Sequence, residues 1–155
     1  MAQGSLLGKI LLSALYTSIA VAILATAMLS VYTKTPYESK VFIDGEEISV
    51  VIADTEILRA KGLSGQKSLD SDEGMLFIFE EPSQHGFWMK DMYFPIDMIW
   101  FNENYQIVDV WERASPDSYP MVYIPSLKAK FVLEVSAGFF SEHNLKMGNI
   151  IKIAR

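Results

Sequence analysis

The chain has 155 residues, no cysteine, and 13 basic residues against 19 acidic ones, for a formal net charge of −6. That length suits one domain with a short appendage. The missing cysteines exclude disulfides, thiolate nucleophiles and cysteine metal sites, and the acidic balance argues against nucleic acid as a partner.

Residues 10–32 are 23 consecutive residues without a charge, preceded by Lys9 and followed closely by Lys34. A helix of that length crosses a hydrocarbon core. Lys9 and the amino terminus place residues 1–9 on the cytoplasmic side, which exports the rest of the chain. Ala25-Thr26-Ala27 resembles a cleavage site, so a removed signal peptide, leaving a secreted or periplasmic domain, is the competing reading. The apolar run continues through Met28, Leu29, Val31 and Tyr32, which favours a retained single-pass anchor in the cell membrane. Setting aside residues 1–34 removes two of the 13 basic residues and none of the acidic ones, so the remainder carries −8. Residues 33–40 read as a tether and 41–155 as an extracytoplasmic β domain.

In the domain, residues 41–44 and 48–53 read as strands joined by Gly45-Glu46-Glu47. Asp54 is a candidate cap for a short helix over 55–61, with Gly62 at its end. After a polar loop over 64–73, residues 74–79 (Gly-Met-Leu-Phe-Ile-Phe) form a continuous apolar run that fits a strand buried on both faces. Glu80-Glu81-Pro82 ends it. Residues 87–90 and 96–101 flank Pro95 and predict a hairpin. Residues 106–112 alternate as a strand, and 114–125, with three prolines, read as a loop. Residues 130–135 predict a strand, 139–145 a helical turn and 149–153 a last strand. The expected fold is mainly β: a small antiparallel sandwich or barrel-like domain with one or two short helices, preceded by one transmembrane helix.

Arg59-x-x-Gly62-Leu63, Gly74-Met75-Leu76-Phe77-x-Phe79, Phe87-Trp88-Met89-Lys90, Pro95-Ile96-Asp97 and Val132-Leu133-Glu134-Val135-x-x-Gly138 occur in that order over residues 48–153. This series resembles the prokaryotic family catalogued as domain of unknown function 192. The resemblance implies a compact, mostly β domain, often behind a signal peptide or anchor, and implies no established enzyme activity. The chain departs from the family's usual pattern at Ser64-Gly65-Gln66 and at Asp91-Met92.

Side-chain alternation makes Trp88 and Lys90 share a face, and likewise Asp97 with Ile99 and Phe101, and Glu134 with Lys130 and Val132. From this the expectation is that Lys90, Asp97 and Glu134 converge beside Trp88. Such a cluster either fixes the register of the hairpin as a buried ion group or grips a small polar, glycan-like ligand. Arg59 either pairs with Glu56 on the helix surface or turns inward to Glu134 or Asp97. Tyr93, in a loop, is a candidate contact residue. Trp88, Lys90, Asp97, Glu134, Arg59 and Tyr93 therefore form the candidate ligand-binding set, with no residue assigned a catalytic role.

His85 and His143 lack metal-binding spacing, and His85 reads as a surface residue. Neither a metal nor a cofactor is implied. The leading expectation is a membrane-anchored binding module for a small polar ligand or an envelope partner. The alternatives are a hydrolase using Asp97 and Glu134 as an acid/base pair, and a structural accessory of a membrane complex docking through residues 114–125.

Overall fold

A computed structural model describes Gly8, residues 15–23 and residues 39–154. Two compact units divide the chain at Thr35–Pro36. In the first, residues 15–23 are helical, and the remainder of the expected 10–32 span lies outside the described residues. No helix among the described residues is long and apolar enough to cross a membrane.

The second unit is mainly β. Its strands are β1 (Ser39–Ile43), β2 (Glu46–Ala53), β3 (Glu73–Ser83), β4 (Phe87–Trp88), β5 (Ile96–Phe101), β6 (Ile107–Ala114), β7 (Val122–Tyr123), β8 (Ala129–Ser136) and β9 (Ile151–Ala154). Two short helices, α1 (Glu56–Lys61) and α2 (Phe139–Glu142), and a 3-10 turn at Pro116–Ser118 complete it. Seven strands form one sheet in the order β6-β5-β8-β3-β2-β1-β9, while β4 and β7 make a separate two-stranded ribbon. The long sheet curls as a half-barrel, and a bridge between Gln106 and Ile150 joins its two edge strands at one end.

Four expectations change. Of the expected sandwich or barrel-like forms the barrel-like one stands, as a half-barrel, but its sheet is mixed rather than antiparallel, because β2 and β3 run parallel, Val51 opposite Met75. Parallel neighbours need a crossover rather than a tight turn, and α1 with the loop after it supplies that connection. The predicted hairpin of residues 87–90 with 96–101 is absent. β5 already has β6 on one side and β8 on the other, so it offers no free edge, and Phe87 pairs with Tyr123 instead. Met89 then turns into the core and Asp91 adopts φ 56°, which bends the segment away from strand geometry. Finally, the 114–125 loop contributes both the 3-10 turn and β7. β3 also runs through Pro82 rather than stopping at it.

Alternation divides the core into two layers. Val41, Ile48, Leu76, Ile99 and Leu133 fill one face of the sheet together with Phe139 and Leu145 from around α2. Met75, Phe77, Met98, Trp100 and Val132 project from the other face and are covered by Leu63, Met89 and Tyr123. The continuous apolar run in β3 and the fully buried β5 serve both layers, as a strand covered on both sides must.

Candidate functional site

The cover over the second face is incomplete. Between α1, the loop that follows it, and the segment from His85 to Met92, a cleft of about 330 Å³ opens toward the sheet. Local chemistry places α1 there. The Thr55 hydroxyl caps the first turn by accepting the Leu58 N–H at 3.3 Å, and the Gly62 N–H closes the last turn on the Leu58 carbonyl at 2.9 Å. Thr55 rather than Asp54 is thus the cap, one residue later than the sequence suggests. The cap leaves Arg59 facing inward and half-buried, in the cleft wall.

Glu134 lies at the floor of this cleft, 4% exposed. It sits on β8 between Met75 of β3 and Met98 of β5, its direct cross-strand neighbours. Both methionines are buried, so the carboxyl has apolar flanks. Among the described residues no donor reaches it and no ion pair includes it. Burial pushes its pKa from 4.5 up to about 8, because a charged carboxylate loses its hydration there and gains nothing in return. At neutral pH the group is a carboxylic acid, able to donate one hydrogen bond and accept others. The close approach of β3 requires Gly74: a Cβ there would stand 2.7 Å from the Glu134 carbonyl oxygen.

Arg59 lies across the cleft wall. Its Nη1 donates to the Asp54 carbonyl at 2.7 Å and to the Ile78 carbonyl at 2.9 Å, and its guanidinium lies 5.2 Å from the centre of the Phe79 ring. Neither expected arrangement, a surface pair with Glu56 or a bidentate pair with Glu134 or Asp97, is formed. Two backbone carbonyls and an aromatic face hold the guanidinium instead. His85 stacks on Phe79 with ring centres 3.5 Å apart and planes 9° from parallel, while its Nε2 meets the Glu81 carbonyl at 3.0 Å. It is half-buried in the cleft wall, not a free surface residue. Phe87 and Trp88 finish the rim, Trp88 at 53% exposure with an edge contact to Tyr119.

Of the six residues singled out from sequence, Arg59, Trp88 and Glu134 come together in this cleft. Lys90 and Tyr93 are exposed and do not line it, and Asp97 lies on the opposite face of the sheet. The expected convergence of Lys90, Asp97 and Glu134 fails on register. Asp97 pairs with Val135, and Met98 pairs with Glu134, so the two carboxyls point to opposite faces. For the same reason Asp97 and Glu134 cannot act as an acid/base pair. Asp97 is fully buried and accepts three backbone N–H groups: Arg113 at 2.8 Å, and Gly138 and Phe140 at 2.9 Å each. Those bonds stitch β5 to the end of β6 and to the start of α2.

Phe79, Phe87 and His85 belong to the cleft and were not singled out for it. Their adjacency depends on the β4–β7 ribbon folding over β3, a long-range pairing with no local signature. Among the described residues no group of three or more histidine, aspartate or glutamate side chains is placed to hold a metal ion.

The family model for domain of unknown function 192, described as "uncharacterized ACR", matches residues 39–153. No curated protein matches the chain. Two solved structures are similar. One, from Sinorhizobium meliloti 1021 and named a candidate transcription regulator, is 26% identical with a TM-score of 0.71, covering 77% of this chain and 96% of its own. The other, a protein of unknown function from Novosphingobium aromaticivorans DSM 12444, is 24% identical with a TM-score of 0.70, covering 73% of this chain and 83% of its own. The latter likeness speaks to the fold alone.

Proposed function

Because the chain belongs to the family domain of unknown function 192, whose members are uncharacterised, we propose from its own geometry that it is a binding module taking a small polar ligand in the cleft between α1 and the sheet. One observation carries this reading. A carboxyl that lacks any donor among the described residues stands at the floor of an open cleft, where an added hydrogen-bond partner would offset its desolvation. The surroundings agree: aromatic rims at Phe87 and Trp88, one fixed cation at Arg59, and a volume within the range of small-molecule sites. The Asp97 carboxyl that an acid/base pair with Glu134 would need lies on the opposite face of the sheet, which supports binding over that pairing. The acidic balance of the domain supports a ligand other than nucleic acid, whatever the role of the Sinorhizobium relative.

The binding domain is proposed to be displayed outside the cytoplasm on an anchor formed by residues 10–32, supported by the length of the uncharged run.

A thermal-shift screen of the purified full chain against sugars, nucleotides, amino acids and cell-wall fragments tests the cleft. A ligand of the folded state raises the melting temperature, by an amount set by its concentration relative to Kd. Ala60, exposed on α1 and lining the cleft, offers a control: Ala60→Trp fills the mouth without entering the core, so the shift disappears. Silence across the screen at millimolar concentrations, or a shift that survives Ala60→Trp, would falsify the reading.

A further inference from the structure

Two groups of different chemistry line the same cleft with hydrogen-bonding positions that no described residue occupies. Arg59 spends Nη1 on two carbonyls, which leaves Nε and Nη2 with no hydrogen-bond partner among the described residues. Those two nitrogens lie along one edge of the guanidinium and donate in parallel, the geometry that a carboxylate accepts bidentately. Because backbone carbonyls and the Phe79 ring already hold the guanidinium in place, little side-chain freedom remains to be lost on binding. At the floor, Glu134 is a neutral acid at pH 7, so it matches a hydroxyl and does not call for a cation. The ionisable groups of the lining are Arg59 and Lys61 against Glu56, together with Glu134 and His85. With Glu134 neutral, two cations against one remaining carboxylate give the lining a positive balance within an acidic chain. Trp88 presents a half-exposed indole at the rim, a surface on which a pyranose ring can lie.

Resting on the cleft reading above, we infer that the ligand is a sugar acid: its carboxylate is held by the free edge of Arg59, its ring lies against Trp88, and a ring hydroxyl bonds to Glu134. A neutral sugar leaves the Arg59 edge without an anion, and a plain ring carboxylic acid leaves Glu134 without a hydroxyl. Each omission weakens binding by roughly tenfold or more, as the loss of a charge-assisted or buried hydrogen bond does.

Three probes against the full chain decide it by calorimetry or ligand-observed NMR: glucuronate, glucose and cyclohexanecarboxylate. The expected ranking is glucuronate ahead of both others by about tenfold or more, with its advantage over glucose shrinking as salt is raised. Arg59→Lys keeps the charge but removes the fork, so its preference for glucuronate over glucose falls. If that variant does not fold, the wild-type ranking still stands as the test. Equal binding of glucose and glucuronate overturns the role given to Arg59. Equal binding of cyclohexanecarboxylate and glucuronate overturns the role given to Glu134. If all three are silent while another compound from the thermal-shift screen binds and is lost in Ala60→Trp, the ligand class is wrong and the cleft reading survives. Silence in both overturns both.

Discussion

Glu134 and Asp97 show how environment separates two acids of nearly the same chemistry. Asp97 is buried but receives three backbone N–H groups, whereas Glu134 is buried between two methionines and receives none among the described residues. The folded state therefore holds a proton on Glu134 that the unfolded chain releases near pH 4.5. Raising the pH favours the state with fewer protons, so this contribution is complete below about 4.5 and is lost as pH climbs to about 8. Across that window stability falls by up to about 1.4 kcal/mol per pH unit on account of this one group. Glu134→Gln cannot ionise, and it flattens that slope in urea melts run from pH 5 to 8. An unchanged slope would mean that Glu134 is already charged in the folded protein.

At the scale of elements, the sheet is tied together by contacts that alternation alone does not reveal. Asp97 joins β5 to the Arg113 amide, where φ is 54°, and to the Gly138 amide, where φ is 94°. Arg113, within β6, and Gly138, at the start of α2, both hold left-handed backbone conformations, and a common acceptor stabilises them. Gly138 tolerates φ 94°, and a Cβ there would also meet the Glu142 side chain at 2.6 Å. Asp97→Ala leaves three N–H groups without their acceptor and costs about 3–5 kcal/mol of stability, read as a lower urea midpoint. A midpoint unmoved by the substitution would show that these amides find other partners. The elements themselves were largely legible. β2, α1, β3, β5, β6 and β8 stand close to their expected positions, because period-two and continuous apolar patterns are strong over six to eight residues. β4 was mispaired because the aromatic density of residues 87–101 suggests a hairpin, while occupation of both β5 edges can be known only from the whole sheet.

For the whole molecule, β and anchor-like segments are separate problems. The proposed anchor rests on 23 uncharged residues and is checked by alkaline carbonate extraction of membranes. The full chain stays in the pellet, and a chain lacking residues 10–32 moves to the supernatant. Release of the full chain would remove the anchor. In the folded domain, the curl of one mixed sheet brings β6 and β9 together at Gln106 and Ile150, although about 40 residues separate them in sequence.

Composition and patterning determined by themselves that this is a cysteine-free, acidic, mainly β domain with little helix, and the order of its motifs was sufficient to indicate its family. They also nominated Arg59, Trp88 and Glu134, the last two through side-chain alternation along strands and Arg59 through its place on the short helix. Only the tertiary structure decided which of the nominated residues meet. Alternation says that neighbours on one strand face opposite ways, but the strand-to-strand register says which residues of two strands face the same way, and a shift of one residue reverses the answer. That single step of register sends Asp97 beneath the sheet as a structural acceptor and leaves Glu134 at the floor of the cleft with its carboxyl unanswered.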